Sequence, residues 1–255
     1  MNLSIESFIK ENKVTFMLIC ATIFFLMLVM MIALKIFINK REETSKGTYI
    51  ARMVSISIFS ALSVLLYLFL KFPLPFLPSF LKINFSNLPL LIITFMLGPI
   101  DGIVVLLIRT IIVLPFSHTF GVGEIADVII SLAIIIVVSI IYIRNKTKKG
   151  AYISLGFAVI TWVIVAVFAN YIILIPAYIM LMFNGNVEIL INMLNTIDNV
   201  NSDNYMIKYL LYGALPFNLI LSIVVCFITA LIYKRISILF HKFEDKENNK
   251  NSVSD

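Results

Sequence analysis

Residues 121–149 read GVGEIADVIISLAIIIVVSIIYIRNKTKK. The stretch opens on two glycines, places Glu124 and Asp127 in its first turn, then runs to Ile143 with no further charge. It closes on Arg144, Lys146, Lys148 and Lys149. About 20 apolar residues in a helix cover roughly 30 Å, the thickness of the bilayer's hydrocarbon core. A run of that length ending in a basic cluster reads as a membrane-crossing helix whose basic end faces the cytoplasm.

The same pattern repeats on both sides of this stretch. Upstream lie apolar runs at Val14–Ile38, Tyr49–Leu70, Leu88–Pro99 and Gly102–Leu114; downstream lie Ala151–Met182 and Met206–Tyr233. Seven spans leave no room for a sizeable soluble domain. Composition agrees: hydrophobic residues are 61% of the 255 and charged residues 13%, against about 45–50% and about 25% in soluble domains. That is too few charges to cover a water-soluble globule. The fold class is all-α, polytopic in the membrane. The first run is too long for a signal-peptide core and has no small-residue cleavage site after it, so it reads as a retained helix.

Basic residues set the orientation. Of the 20 Lys and Arg, 14 fall on the side of the Arg144–Lys149 loop, after the first span or in the C-terminal tail. The opposite side holds Lys10, Lys13, Lys71, Lys82 and Lys208, and Arg109 lies within a span. This places the N-terminus outside and the C-terminus in the cytoplasm, in a multi-pass protein of the cell membrane. The span-flanking charges read as topology signals and anionic-lipid contacts, not as a nucleic-acid site. The domain boundaries expected are 1–48 for an N-terminal segment with one helix, 49–240 for a membrane core and 241–255 for a polar tail.

Several chemistries are excluded or disfavoured. No Gly-Lys pair exists, so there is no P-loop. GxSxG and HExxH are absent, leaving no catalytic motif. Cys20 and Cys226 form no CxxC, and His118 and His241 fall on opposite sides of the membrane, so no metal site is expected.

Ionisable and amide groups at membrane depth are costly and call for a reason. Asp101 follows a Gly-Pro turn and reads as a helix-start acid. Arg109 reads as the structural partner of an acid, with a ligand contact as the alternative. Glu124 and Asp127, three apart, share a helix face; they read either as first-turn acids facing the macrodipole or as ligand contacts. Asn170, before Pro176, and Asn218, after Pro216, each offer donors and an acceptor suited to the edge of a heteroaromatic ring. The alternative is a hydrogen bond between helices. The Pro- and Phe-rich loop from Lys71 to Asn87 reads as a lid or an interfacial belt, and the Asn-rich loop 184–205 as a solvated cap. Ser57 and Ala61, four apart, would let another helix approach closely.

From about residue 49 to 240 the chain resembles the substrate-binding S components of energy-coupling-factor (ECF) vitamin transporters, and is most similar to their riboflavin-binding branch. The resemblance rests on Ile83–Pro89, Leu97-Gly98-Pro99 with Gly102, Gly121–Asp127, Ala169-Asn170-Tyr171 with Pro176, and Pro216-Phe217-Asn218. It implies a six-helix S-component core, here with one extra N-terminal transmembrane helix, and no ATPase activity of its own. It implies a vitamin pocket opening outward, with Asn84, Phe85, Glu124, Asp127, Asn170 and Asn218 as substrate-binding residues. It also implies a transmembrane coupling subunit, docked at Ser57 and Ala61, and two cytoplasmic ATPases. No cofactor is implied; riboflavin would be the transported ligand. The chain departs from the riboflavin-type pattern at Asn84, Asn87, Asp127 and Leu221, where Asp, Asp, Asn and Lys are usual. Those departures keep open another vitamin, such as folate, thiamine or pantothenate. An intramembrane lipid-modifying enzyme using Glu124, Asp127 and Arg109, or a scaffold protein with no small ligand, are the remaining readings.

Overall fold

The computed structural model describes residues 46–232, apart from 76, 79, 80, 118, 120 and 195. The expected N-terminal helix, Cys20, Phe76, His118, His241 and the polar tail lie outside the described residues.

Helix α1, Lys46–Phe69, is followed by a short hairpin, β1 (Phe72–Pro73) paired antiparallel with β2 (Lys82–Ile83). Then come α2 (Asn87–Leu97), α3 (Pro99–Val113) with a 3₁₀ turn at Leu114–Phe116, and α4 (Val122–Arg144). Helix α5, Lys148–Ala169, passes through a π-helical turn at Asn170–Leu174 into α6, Ile175–Leu181. A short α7 (Val187–Met193) precedes α8 (Tyr205–Tyr209), a second π-helical turn at Leu210–Ala214, and α9 at 215–232. Among the described residues, five helical segments are long and apolar enough to cross a membrane. The chain is a helical membrane protein.

The second core span differs from its sequence reading. Helix α2 has 11 residues, about 16 Å at 1.5 Å per residue, roughly half a bilayer. It is instead a buried central peg. Leu90 through Ile93 are almost fully inaccessible, and α2 packs against α1, α3 and α4. Side chains outside this core, including Ile58, Phe69, Ile111, Phe157, Ile164, Phe168, Phe227 and Leu231, stay exposed. They form the belt that lipid would cover. Ser57 and Ala61 sit on this exposed side of α1, among Val54, Ile58 and Leu62.

The basic loop folds by local chemistry. Arg144 occupies the last turn of α4, where a cation suits the helix C-terminus. Thr147 caps α5 by accepting the Gly150 N–H at 3.1 Å. At the same end, Asp101 proves more than a helix-start acid. Its carboxylate accepts both Arg52 Nε (2.9 Å) and Arg52 Nη2 (2.7 Å to Oδ2), tying α3 to α1.

The loop from Asn184 to Tyr205 is not simply a solvated cap. Leu190 of α7 and Leu194, four residues on, are fully buried in the main core, with Ile197 and Val200 packed against it. The asparagines shape the segment: Asn186 caps α7 by accepting the Glu188 N–H at 2.9 Å. Asn184 and Asn199 adopt positive φ, a conformation Asn tolerates better than most residues.

Candidate functional site

The end of the bundle carrying the hairpin, the 114–121 turn and the 184–204 segment gathers most of the buried polar groups. They fall into three groups.

The first centres on Arg109, which is 1% exposed. Nη1 donates to Ser86 Oγ (2.9 Å) and Asn87 Oδ1 (2.8 Å). Nη2 donates to Asp127 Oδ2 (2.5 Å) and Ser131 Oγ (3.1 Å). Ser131 Oγ in turn donates to Asn87 Oδ1 at 2.8 Å, and Ser63 of α1 donates to the Ser86 carbonyl at 2.7 Å. One guanidinium thus joins α2, α3 and α4, with α1 attached through Ser63. Asn84 Oδ1 accepts both the Ser86 hydroxyl (2.7 Å) and N–H (3.2 Å), which holds the segment entering α2 in this network. The next residue, Phe85, lies half-buried with its ring 6.3 Å from that of Phe72. A buried charge is stable only when paired and hydrogen-bonded, and this one is.

The second group surrounds Glu124, one turn before Asp127 on α4. Tyr67 donates to Oε1 at 3.0 Å; Ser117 and Thr119 donate to Oε2 at 2.7 and 3.3 Å. The turn that supplies those hydroxyls depends on glycine. Gly121 takes φ +81° and donates its N–H to Ser117 Oγ. At Gly123 a Cβ would stand 3.2 Å from Thr119 Oγ1 and 3.7 Å from the Tyr178 hydroxyl, so the missing side chain lets both approach α4. Lys71 crosses the Tyr67 ring, with Nζ 3.6 Å from its centroid. Burial pushes the Lys71 ammonium below its ordinary pKa; Glu124 and Asp127 pull it back, and Lys82 adds to the lowering.

The third group lies between the two long helices. Asn170, first residue of the α5–α6 π turn, donates Nδ2 to the Ala166 carbonyl (2.8 Å) and accepts the Tyr209 hydroxyl at Oδ1 (2.6 Å). Asn218 on α9 donates Nδ2 to the Ala214 carbonyl (2.8 Å) and accepts Trp162 Nε1–H at Oδ1 (3.3 Å). Each amide therefore bonds across to an aromatic donor, not to the other asparagine. The π turns have a common cause. Pro176 and Pro216 have no N–H to give and crowd the preceding turn, and the residue before each bonds five back: Ile175 N–H to Asn170 O, Leu215 N–H to Leu210 O.

The Tyr178 hydroxyl comes up to Gly123, next to Glu124, and the 170–174 turn that carries Asn170 packs on α4. The sequence reading did not single out Tyr67, Ser86, Ser117, Thr119, Ser131, Trp162, Tyr178 or Tyr209. Their signal was the presence of hydroxyls and one indole inside otherwise apolar runs.

Such an architecture defines a polytopic helical membrane protein that concentrates hydrogen-bonded polar groups inside one end of its bundle. The chain belongs to the family described as ECF transporter, substrate-specific component, whose model it matches over residues 51–233. It is 32% identical to the riboflavin transporter RibU of Staphylococcus aureus over 186 residues, covering 73% of this chain and 90% of RibU. It is 27% identical to the riboflavin transporter FmnP of Bacillus subtilis over 190 residues, covering 73% of this chain and 92% of FmnP. A solved structure described as the S component of a bacterial ECF transporter superposes with a TM-score of 0.56 at 29% identity, covering 74% of this chain and 96% of that one.

Proposed function

We propose that this S component binds riboflavin from outside the cell and delivers it inward, driven by partner subunits and not by ATP hydrolysis of its own. The observation that carries the reading is its similarity to two proteins named riboflavin transporters, over 90% and 92% of their lengths. The site's chemistry supports it. Asn170 and Asn218 supply uncharged donors and acceptors suited to the polar edge of a flat heteroaromatic ring, and Glu124 and Asp127 supply acceptors for hydroxyls. Phe85 and the nearby tyrosines offer faces for stacking. Asn84 positions the loop end that would close over the ligand.

The partners are a transmembrane coupling subunit and two cytoplasmic ATPases, with Ser57 and Ala61 on the open face of α1 as the docking strip. The basic-residue asymmetry supports an outward N-terminus and an inward-facing loop at Arg144–Lys149.

One observation favours a different vitamin. Leu221, where riboflavin-type members usually carry Lys, is buried in the apolar core and offers no contact to a ring carbonyl. The test is to purify the full chain and titrate riboflavin while following the loss of its fluorescence, with mass spectrometry of any co-purified ligand. Saturable quenching is the expected result. A folded protein that leaves riboflavin fluorescence unchanged, or retains another vitamin, overturns the assignment.

A further inference from the structure

We propose that Tyr209 and Trp162 are positioning residues that fix which atom of Asn170 and of Asn218 faces the vitamin; this rests on the vitamin-binding reading of those two amides. The two pairs are reciprocal. Asn170 belongs to the first long helix and takes its aromatic donor from the second; Asn218 belongs to the second and takes its donor from the first. In both, Nδ2 is held by the carbonyl four residues back on its own helix. All four side chains are buried, at 1–5% exposure.

This arrangement forbids an amide flip. An indole N–H only donates, so the atom of Asn218 facing Trp162 must be oxygen. The Ala214 carbonyl only accepts, so the atom facing it must be nitrogen. Rotating the amide by 180° would set oxygen against oxygen and N–H against N–H and lose both bonds. At Asn170 the Ala166 carbonyl imposes the same choice, and the Tyr209 hydroxyl completes it by donating. The Tyr209 ring is itself seated on the π turn, where a Cβ at Gly213 would stand 3.1 Å from the ring. An amide has two N–H groups and two lone pairs, and these bonds use one of each. The remaining N–H and lone pair are presented in a fixed order, which suits a ring edge that alternates donor and acceptor. Neither aromatic needs to touch the ligand.

The experiment is a pair of double-mutant cycles on riboflavin affinity, measured by isothermal titration calorimetry on the full chain, with each variant's thermal unfolding followed in parallel. Tyr209→Phe removes one oxygen and keeps the ring on Gly213. It should weaken binding about tenfold, the worth of one hydrogen bond. In an Asn170→Ala background the same change should cost nothing more, because there is no amide left to orient. Trp162→Phe with Asn218→Ala forms the second, independent cycle. Full additivity in both cycles would mean that the aromatics act by packing alone, and would overturn the positioning role while leaving the vitamin reading intact. If Asn170→Ala and Asn218→Ala bind riboflavin like the unmodified chain, the amide contacts themselves are wrong and this inference falls with them.

Discussion

Helices α1–α4 and the two long helices α5–α6 and α8–α9 bury polar groups at the same end of the molecule by opposite means. In the first region charge answers charge. The Arg109 guanidinium meets Asp127 and three neutral partners drawn from α2, the residue before it, and α4, so displacing a helix strands a fully buried cation. In the second region the buried groups are neutral amides, a phenol and an indole, and each amide leans partly on its own helix. The backbone there has already changed partner once, at the two π turns. Breaking a buried ion pair costs about 3–5 kcal/mol; a neutral hydrogen bond is worth about 1 kcal/mol. The first region is built to hold its shape. The second keeps a spare N–H and lone pair on each amide, which can take a ligand at small cost.

The largest expected effect breaks the charged side of this comparison. Arg109→Met should lower stability by about 3–5 kcal/mol, because Asp127 is left without its cation. Arg109→Met combined with Asp127→Leu should recover most of that loss. Thermal unfolding in detergent reads both, and failure of the double variant to recover would show that the ion pair is not what the network depends on. A smaller effect sharpens the neutral side. Leu190→Ala should cost about 2 kcal/mol or more and expose the 184–204 segment to proteolysis, since Ile197 of that segment reaches the 210–214 turn. Cleavage elsewhere in the chain would contradict this anchoring. The smallest effect is a pH dependence. The folded pKa of Lys71 lies below its ordinary value because of burial. Between that lowered pKa and the ordinary one the unfolded chain binds more protons, so stability should rise slightly with pH through that window. Lys71→Met should flatten the alkaline limb of a stability-against-pH curve.

The described spans were legible in the sequence to within a few residues, because about 20 apolar positions closed by basic residues leave little freedom of interpretation. Helix α2 was legible as apolar but not as a buried half-length peg, since hydropathy does not distinguish lipid from protein surroundings. Asp101 reads as a helix-start acid in the sequence because its partner Arg52 lies 49 residues away, at a span end where a basic residue carries a topology signal. Arg109, a lone cation inside a span, does pair with an acid, Asp127. Asn170 and Asn218 stood out as amides in apolar runs, whereas Tyr209 and Trp162, the donors that hold them, looked like ordinary membrane aromatics. The loop at 184–205 misled because its many asparagines masked one apolar pair four residues apart, Leu190 and Leu194.

Hydrogen exchange of the full chain with and without riboflavin tests the comparison most directly. The account predicts the largest added protection at the two π turns and the backbone around Asn170 and Asn218, with smaller changes around Arg109, where Asp127 and the loop end at Asn84 meet the ligand. Protection that leaves the π turns untouched and falls instead on the Arg109 network would contradict it.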